Sequence, residues 1–229
     1  MSPRLLDLFC GAGGAAMGYH RAGFDVTGVD IARQPHYPFA FFQCDAQAAL
    51  ALVPLMNFDA LHASPPCQGY SKAKILRGRV HADLVAPVRD LLDATGLPYV
   101  IENVEGAPLR DPVVLEGQMF EGLRTVRPRY FETNWPLDVP FLRFSRPPQV
   151  KMGRPPRDGE FMQIVGHFSG ADAGRAAMGI DWMNRDELRE AIPPAYSEFI
   201  GGQLRRYLQT TEREEALRRM GQMKLEEAL

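Results

Sequence analysis

The chain predicts an α/β fold built on a mostly parallel sheet. Strand-like runs alternate with a helical stretch from the start, a glycine-rich turn follows the first run, and the chemically informative residues fall at the carboxyl ends of runs.

The elements follow in order. Residues 4–9, Arg-Leu-Leu-Asp-Leu-Phe, read as a strand, residues 11–14 as a glycine-rich turn, and 15–22 as a helix. Residues 25–30 form the second strand, completing a βαβ unit and so a parallel pair. Further strands are expected at 40–43, 60–63 and 99–102, with a helix over 84–94 ahead of the last. Residues 134–178 are rich in proline and glycine and weakly periodic, which predicts a small irregular lobe. The chain divides into a core over 1–133, that lobe, a returning segment over 179–208, and a charged helical tail over 209–229 supported by opposite charges three or four apart.

With 229 residues and 45% hydrophobic content the chain can bury one large domain, or one domain and a lobe. No apolar run nears the roughly 20 residues that cross a bilayer, and the first residues lack a basic, apolar leader, so a cytoplasmic protein is expected. Cys10, Cys44 and Cys67 are odd in number and lack metal-ligand spacing, against a disulfide framework and a structural zinc. No metal is expected. The formal net charge of -2 leaves any nucleic-acid reading to local clusters.

Gly11 and Gly13 let the backbone turn sharply toward a ligand, in a loose G-x-G-x-x-G/A pattern with Ala16 at the last place. Asp30 closes the second strand, where a carboxylate can accept both hydroxyls of a ribose, and Asp45 follows the third. By themselves these residues leave open a nicotinamide cofactor, or a tight turn with two acidic helix caps. Pro65 and Pro66 stiffen the backbone ahead of Cys67 at a strand end, which presents its thiol as a nucleophile.

The ordered set Asp7-Leu8-Phe9-Cys10-Gly11-Ala12-Gly13-Gly14, Pro65-Pro66-Cys67-Gln68, Glu102-Asn103-Val104, Arg127-Pro128-Arg129 and Ala191-Ile192-Pro193-Pro194 resembles the motifs of the DNA (cytosine-5-)-methyltransferase family, over roughly residues 4 to 204. The resemblance implies a Rossmann-like fold that binds S-adenosyl-L-methionine, with Phe9 against the adenine, Gly11 and Gly13 beside the methionine moiety, Asp30 on the ribose and Asp45 on the adenine amino group. Asp7, Pro66 and Ile192 join that cofactor set. It further implies that Cys67 adds to carbon 6 of cytosine, that Glu102 holds a proton at N3, and that Arg129, with Arg127, holds O2 and orients the carboxyl. Gln68, Ser71, Lys72, Arg79 and Asn103 are the expected substrate contacts.

The loop after Cys67 carries Lys72, Lys74, Arg77, Arg79 and His81 without an acidic residue, which favours double-stranded DNA with a flipped cytosine. A tRNA or a cytosine nucleotide as substrate, or a catalytically silent DNA-binding relative, are the alternatives. The protein is expected to be a monomer, with a restriction nuclease as a possible partner. The lobe is short for the family, and Glu190 stands near where relatives carry an asparagine.

Overall fold

β1 (Arg4–Leu8) lies between two parallel neighbours, because its consecutive apolar residues need cover on both faces. Leu5 and Leu6 point to opposite faces and are both fully buried. The computed structural model describes residues 2–52, 57–66, 83–140, 145–151, 154 and 156–226.

After β1 come α1 (Gly14–Arg21), β2 (Asp25–Asp30), β3 (Ala40–Gln43), α2 (Ala46–Leu52), β4 (Ala60–Ala63), α3 (Val85–Thr95) and β5 (Tyr99–Asn103). An antiparallel addition, β6 (Val113–Leu115) and β7 (Arg129–Thr133), completes a seven-stranded sheet of order β3-β2-β1-β4-β5-β7-β6. Strand order reverses at β1, so the carboxyl ends of β1 and β4 open a crevice between them. The six elements expected after the first turn and the parallel sheet are present, within a residue of their expected limits. The antiparallel pair was not expected.

One face of the sheet is covered by α1 and by the long helix α6 (Pro194–Glu226), with Tyr19, Tyr196, Ile200 and Leu204 in a shared core. On the other face α2 and α3 bring Ala49, Val88 and Leu92 against Leu6, Leu8 and Leu61. Gly18 lets α1 and α6 meet at backbone distance, since a Cβ there would strike the Pro194 carbonyl and the Ser197 hydroxyl. Arg89 of α3 forks onto Glu132 of β7 through Nε to Oε1 and Nη2 to Oε2, both 2.6 Å, sealing the antiparallel strand against the helix layer.

Between β7 and α6 lie β8 (Gln149–Val150), β9 (Phe161–Met162), α4 (Ala171–Met178) and α5 (Arg185–Glu190). β8 and β9 form a separate two-stranded parallel pair. The end of the expected irregular lobe is therefore helical. Met162, Ile164, Phe168, Met178, Met183 and Leu188 form its core, and that core rests on Ala12 of the glycine turn. α6 runs unbroken across residue 208, where a returning segment and a tail were expected to part.

Candidate active site

The glycine turn is built by strain that only some residues tolerate. Phe9, at the end of β1, sits at φ 57, and Gly11 and Gly13 follow at φ 49 and 85. Asp30 fixes the turn from β2: its Oδ2 accepts the Gly11 N–H at 3.0 Å and its Oδ1 the Ala32 N–H at 2.8 Å. A Cβ at Gly11 would meet nothing within 4 Å, so the turn faces open space beside a carboxylate. Gly13 is closed instead, with Pro38 Cδ 2.9 Å from its hypothetical Cβ and the Tyr37 ring 3.1 Å away. The Ile192 backbone packs on Gly14, which brings the last motif onto the first.

Asp45 caps α2, its Oδ1 accepting the Gln47 and Ala48 N–H groups at 3.0 Å each. Its side chain stands in solvent, as does the ring of Pro66. Ile31, next to Asp30 and 69% exposed, is an open apolar surface at the same sheet edge that sequence reasoning missed.

Asp7 is fully buried on β1, and neither carboxylate oxygen has a hydrogen-bond partner among the described residues. Burial, then the charges of Asp30 and Glu102, push its carboxyl well above the usual range, in favour of the neutral acid. Burial likewise pushes the Cys10 thiol up, against any reactive role for it.

At the end of β5, Glu102 is buried and pairs with the Arg129 guanidinium, Oε1 lying 2.9 Å from Nε. Burial raises its pKa, while Arg129, a hydrogen bond from Ser64 and the charge of Arg127 oppose the rise. Arg129 begins β7, and its register opposite Leu115 sets it beside the carboxyl end of β5. Asn103 is 1% exposed and spends its amide on the backbone: Nδ2 donates to the Pro65 carbonyl at 3.0 Å and Oδ1 accepts the Val104 N–H at 2.9 Å. It thus fastens the end of β5 to the loop leading to residue 67.

Arg127 sits at φ 33 with its guanidinium turned toward the lobe, Nη1 donating to the Ile164 carbonyl at 2.6 Å and Nη2 to the Arg189 carbonyl at 2.7 Å. Arg127 and Arg129, with Arg146, line a cleft of about 580 Å³ between the end of β5 and the lobe. Glu105 is the acidic residue on its wall, so the lining is net positive. Cys67, Gln68, Ser71, Lys72 and Arg79 lie outside the described residues.

Three further polar residues reach this site. Tyr19 OH lies 2.9 Å from His62 Nδ1, and His62 Nε2 lies 2.9 Å from Ser64 Oγ. His62 is thus bonded at both ring nitrogens, to partners that lie outside its own strand.

Residues 3–111 match the family model described as C-5 cytosine-specific DNA methylase. A curated relative, the Type II methyltransferase M.HgiDI of Herpetosiphon aurantiacus, is 32% identical over 118 residues, covering 46% of this chain and 38% of its own length. The chain thus spans under two fifths of that relative. Among solved structures, a putative DNA modification methyltransferase encoded within an Escherichia coli prophage aligns at TM-score 0.63 and 15% identity over 91% of this chain and 100% of its own. The Dnmt2 methyltransferase of S. pombe aligns at TM-score 0.58 and 14% identity over 91% and 99%. These two structures bear on the fold alone. No helix among the described residues is long and apolar enough to cross a membrane.

Proposed function

We propose that the protein methylates carbon 5 of cytosine in DNA, a reading that starts from the match of residues 3–111 to the family model of C-5 cytosine-specific DNA methylases. The observation that carries the reading is the Glu102–Arg129 pair, buried at the carboxyl end of β5 beside the strand that leads into Pro65-Pro66-Cys67.

S-adenosylmethionine, when bound, supplies the electrophilic methyl group. The open face of Gly11, the Asp30 carboxylate beside it and the exposed Ile31 fit a ligand that is polar at one end and apolar at the other. Asp30, Phe9, Gly11 and Ile192 are the residues that would hold it, with Asp45 at the rim.

Carbon 5 of cytosine is a poor nucleophile. The Cys67 thiolate adds at carbon 6, and the ring electrons displaced toward N3 are met by the proton that Glu102 holds. Burial raises the pKa of this carboxyl and so favours the protonated form that the step needs. Arg129 fixes the carboxyl through Nε and has further N–H groups for the base's O2. A base then takes the carbon-5 proton, and the thiolate leaves as the double bond re-forms. Because a stacked cytosine cannot reach a strand-end thiol, the base must leave the duplex, and the basic cleft beside Arg129 is large enough to receive it. Arg127 braces the lobe in this scheme, and residues 134–178 read the neighbouring bases.

Purified protein should move a labelled methyl group from S-adenosylmethionine to carbon 5 of cytosine in duplex DNA. Duplex DNA containing 5-fluorocytosine should trap a covalent adduct that Cys67→Ser abolishes. Labelling of an exocyclic amine, or preferential labelling of tRNA or free nucleotide in parallel reactions, would overturn the assignment.

A further inference from the structure

The cleft that holds Arg129 has a second wall, formed by the lobe through Gln149 of β8, Gln163 just past β9, and Arg146 ahead of them. The strands run parallel, Gln149 beside Phe161 and Val150 beside Met162, and the Gln163 N–H continues the ladder onto the Val150 carbonyl at 2.8 Å. Side chains alternate along a strand, so Met162 enters the lobe core while Gln149 and Gln163 share the opposite face. Arg154 forks onto Glu160, which also accepts the Arg157 N–H at 2.8 Å, and this ties down the connection at the entry to β9.

The polar groups on this cleft divide by what they already hold. Arg127 bonds the Ile164 and Arg189 carbonyls, and Arg129 pairs with Glu102. The side chains of Arg146, Gln149 and Gln163 hold no hydrogen bond or ion pair among the described residues. A phosphate would call for donors alone, whereas two amides that both donate and accept match the edge of a base. The major groove admits a two-stranded ribbon, and there arginine fits the paired acceptors of guanine and glutamine the acceptor and donor of adenine. Strands about 4.8 Å apart and a two-residue rise of about 6.6 Å separate the two glutamines by roughly 8 Å. That is over twice the rise of about 3.4 Å per base pair, so they address different pairs.

We propose that the β8–β9 ribbon enters the major groove beside the flipped cytosine and sets the target sequence, Arg146 selecting a guanine and Gln149 and Gln163 each selecting an adenine at separate base pairs. This deepens the reading of the protein as a DNA cytosine methyltransferase, and rests on it. Because the three residues line the same cleft as Arg129, the pairs they read flank the base that is methylated.

The test gives the full-length protein and S-adenosylmethionine a library of duplex DNA in which the base pairs on both sides of a central cytosine are randomised. Bisulfite sequencing reads the methylated members, and sequencing of the retained duplexes reads the bound ones. Wild type should prefer guanine at one flanking pair and adenine at two others. Arg146→Ala should relax the guanine preference about tenfold, and Gln149→Ala and Gln163→Ala should each relax one adenine by a similar factor. Gln163→Arg should turn its adenine into guanine. Arg146→Lys should keep the charge yet lose the guanine preference, since an ammonium cannot form the fork. An unchanged Kd for S-adenosylmethionine shows that each variant keeps its fold. Unaltered sequence profiles in the alanine variants, or a loss spread evenly over all sequences with a salt slope lower by about one, would mean phosphate contact and overturn the proposal. A wild type that selects these bases when bound yet methylates no cytosine would strike the functional reading alone. Methylation without a flanking preference would strike the ribbon alone.

Discussion

Arg129 Nε stands 2.9 Å from Glu102 Oε1 at a point where both side chains are largely shielded from water, 14% and 9% exposed. The pair matters because burial and ion pairing act on Glu102 in opposite senses, and burial is the larger influence. A buried carboxyl left without its cation keeps the desolvation cost and loses the compensation.

Arg129→Ala should therefore raise the Glu102 pKa further and lower methyl transfer by about a hundredfold. The stability sign follows from the raised folded-state value: Glu102's contribution is fully present below the unfolded carboxyl pKa and is lost as pH rises through the folded one. Thermal melts of Arg129→Ala should accordingly fall away from wild type with increasing alkalinity. Parallel curves would show that the pair does not govern Glu102.

Asp30 holds the glycine turn through Oδ2, which accepts the Gly11 N–H, while its Oδ1 is steadied by the Ala32 N–H just after β2. Asp30→Ala should weaken S-adenosylmethionine binding by about a hundredfold, since charge-assisted bonds each contribute roughly 1.5–3 kcal/mol. Calorimetric titration of the cofactor checks this without DNA. An unchanged Kd would take Asp30 out of the cofactor site.

Asp7 is a fully buried acid with no hydrogen-bond partner among the described residues, and its pKa is raised well above the usual carboxylate range, first by burial. The unfolded chain ionises there before the folded one does, so stability is lost as pH climbs above the ordinary aspartate value. Asp7→Asn removes that loss. The variant should match wild type in acid and melt roughly 4–8 °C higher in mild alkali, the equivalent of about 2 kcal/mol. Equal melting temperatures at every pH would contradict a neutral Asp7.

Two helical glycines should respond oppositely to alanine. Gly18 has no room for a methyl group, because the Pro194 carbonyl and Ser197 hydroxyl occupy the place. Gly18→Ala should cost about 3 kcal/mol or more by prising α1 from α6. At Gly202 the nearest atom is Arg206 Nη1, 4.0 Å from where a Cβ would sit, so Gly202→Ala should add about 0.5–1 kcal/mol of stability through helix propensity. Denaturant unfolding of the two variants settles both values.

The sequence was readable wherever local pattern and final position coincide. Leu5 and Leu6 announce a doubly covered strand, and glycines beside a strand end announce the turn; both hold. The antiparallel pair β6–β7 escaped notice because Val113–Leu115 is too short to show a period, and because β7 draws its partners from a helix through Arg89 and Glu132. A like reason hid the line from Tyr19 through His62 to Ser64: a hydrogen bond between distant elements leaves no spacing in the chain. Arg127 and Arg129 read as one basic pair, yet one guanidinium turns to the lobe's backbone and the other to Glu102. Two residues of separation in an extended segment cannot reveal such a division, because the left-handed φ of Arg127 redirects its side chain.

The Trp182 indole N–H donates to the Ala12 carbonyl at 2.7 Å, across 170 residues of chain. On the ribosome, where residues emerge at about 5–20 per second, the glycine turn is made early and its clamp arrives many seconds afterwards. Ile192, which closes on Gly14, is later still. The nascent chain thus spends most of its synthesis with the first strand and turn lacking these late contacts, a period in which a chaperone would find its apolar surface. Translation pauses between residues 111 and 182 should consequently lower the yield of cofactor-binding protein without altering a single contact in the finished fold.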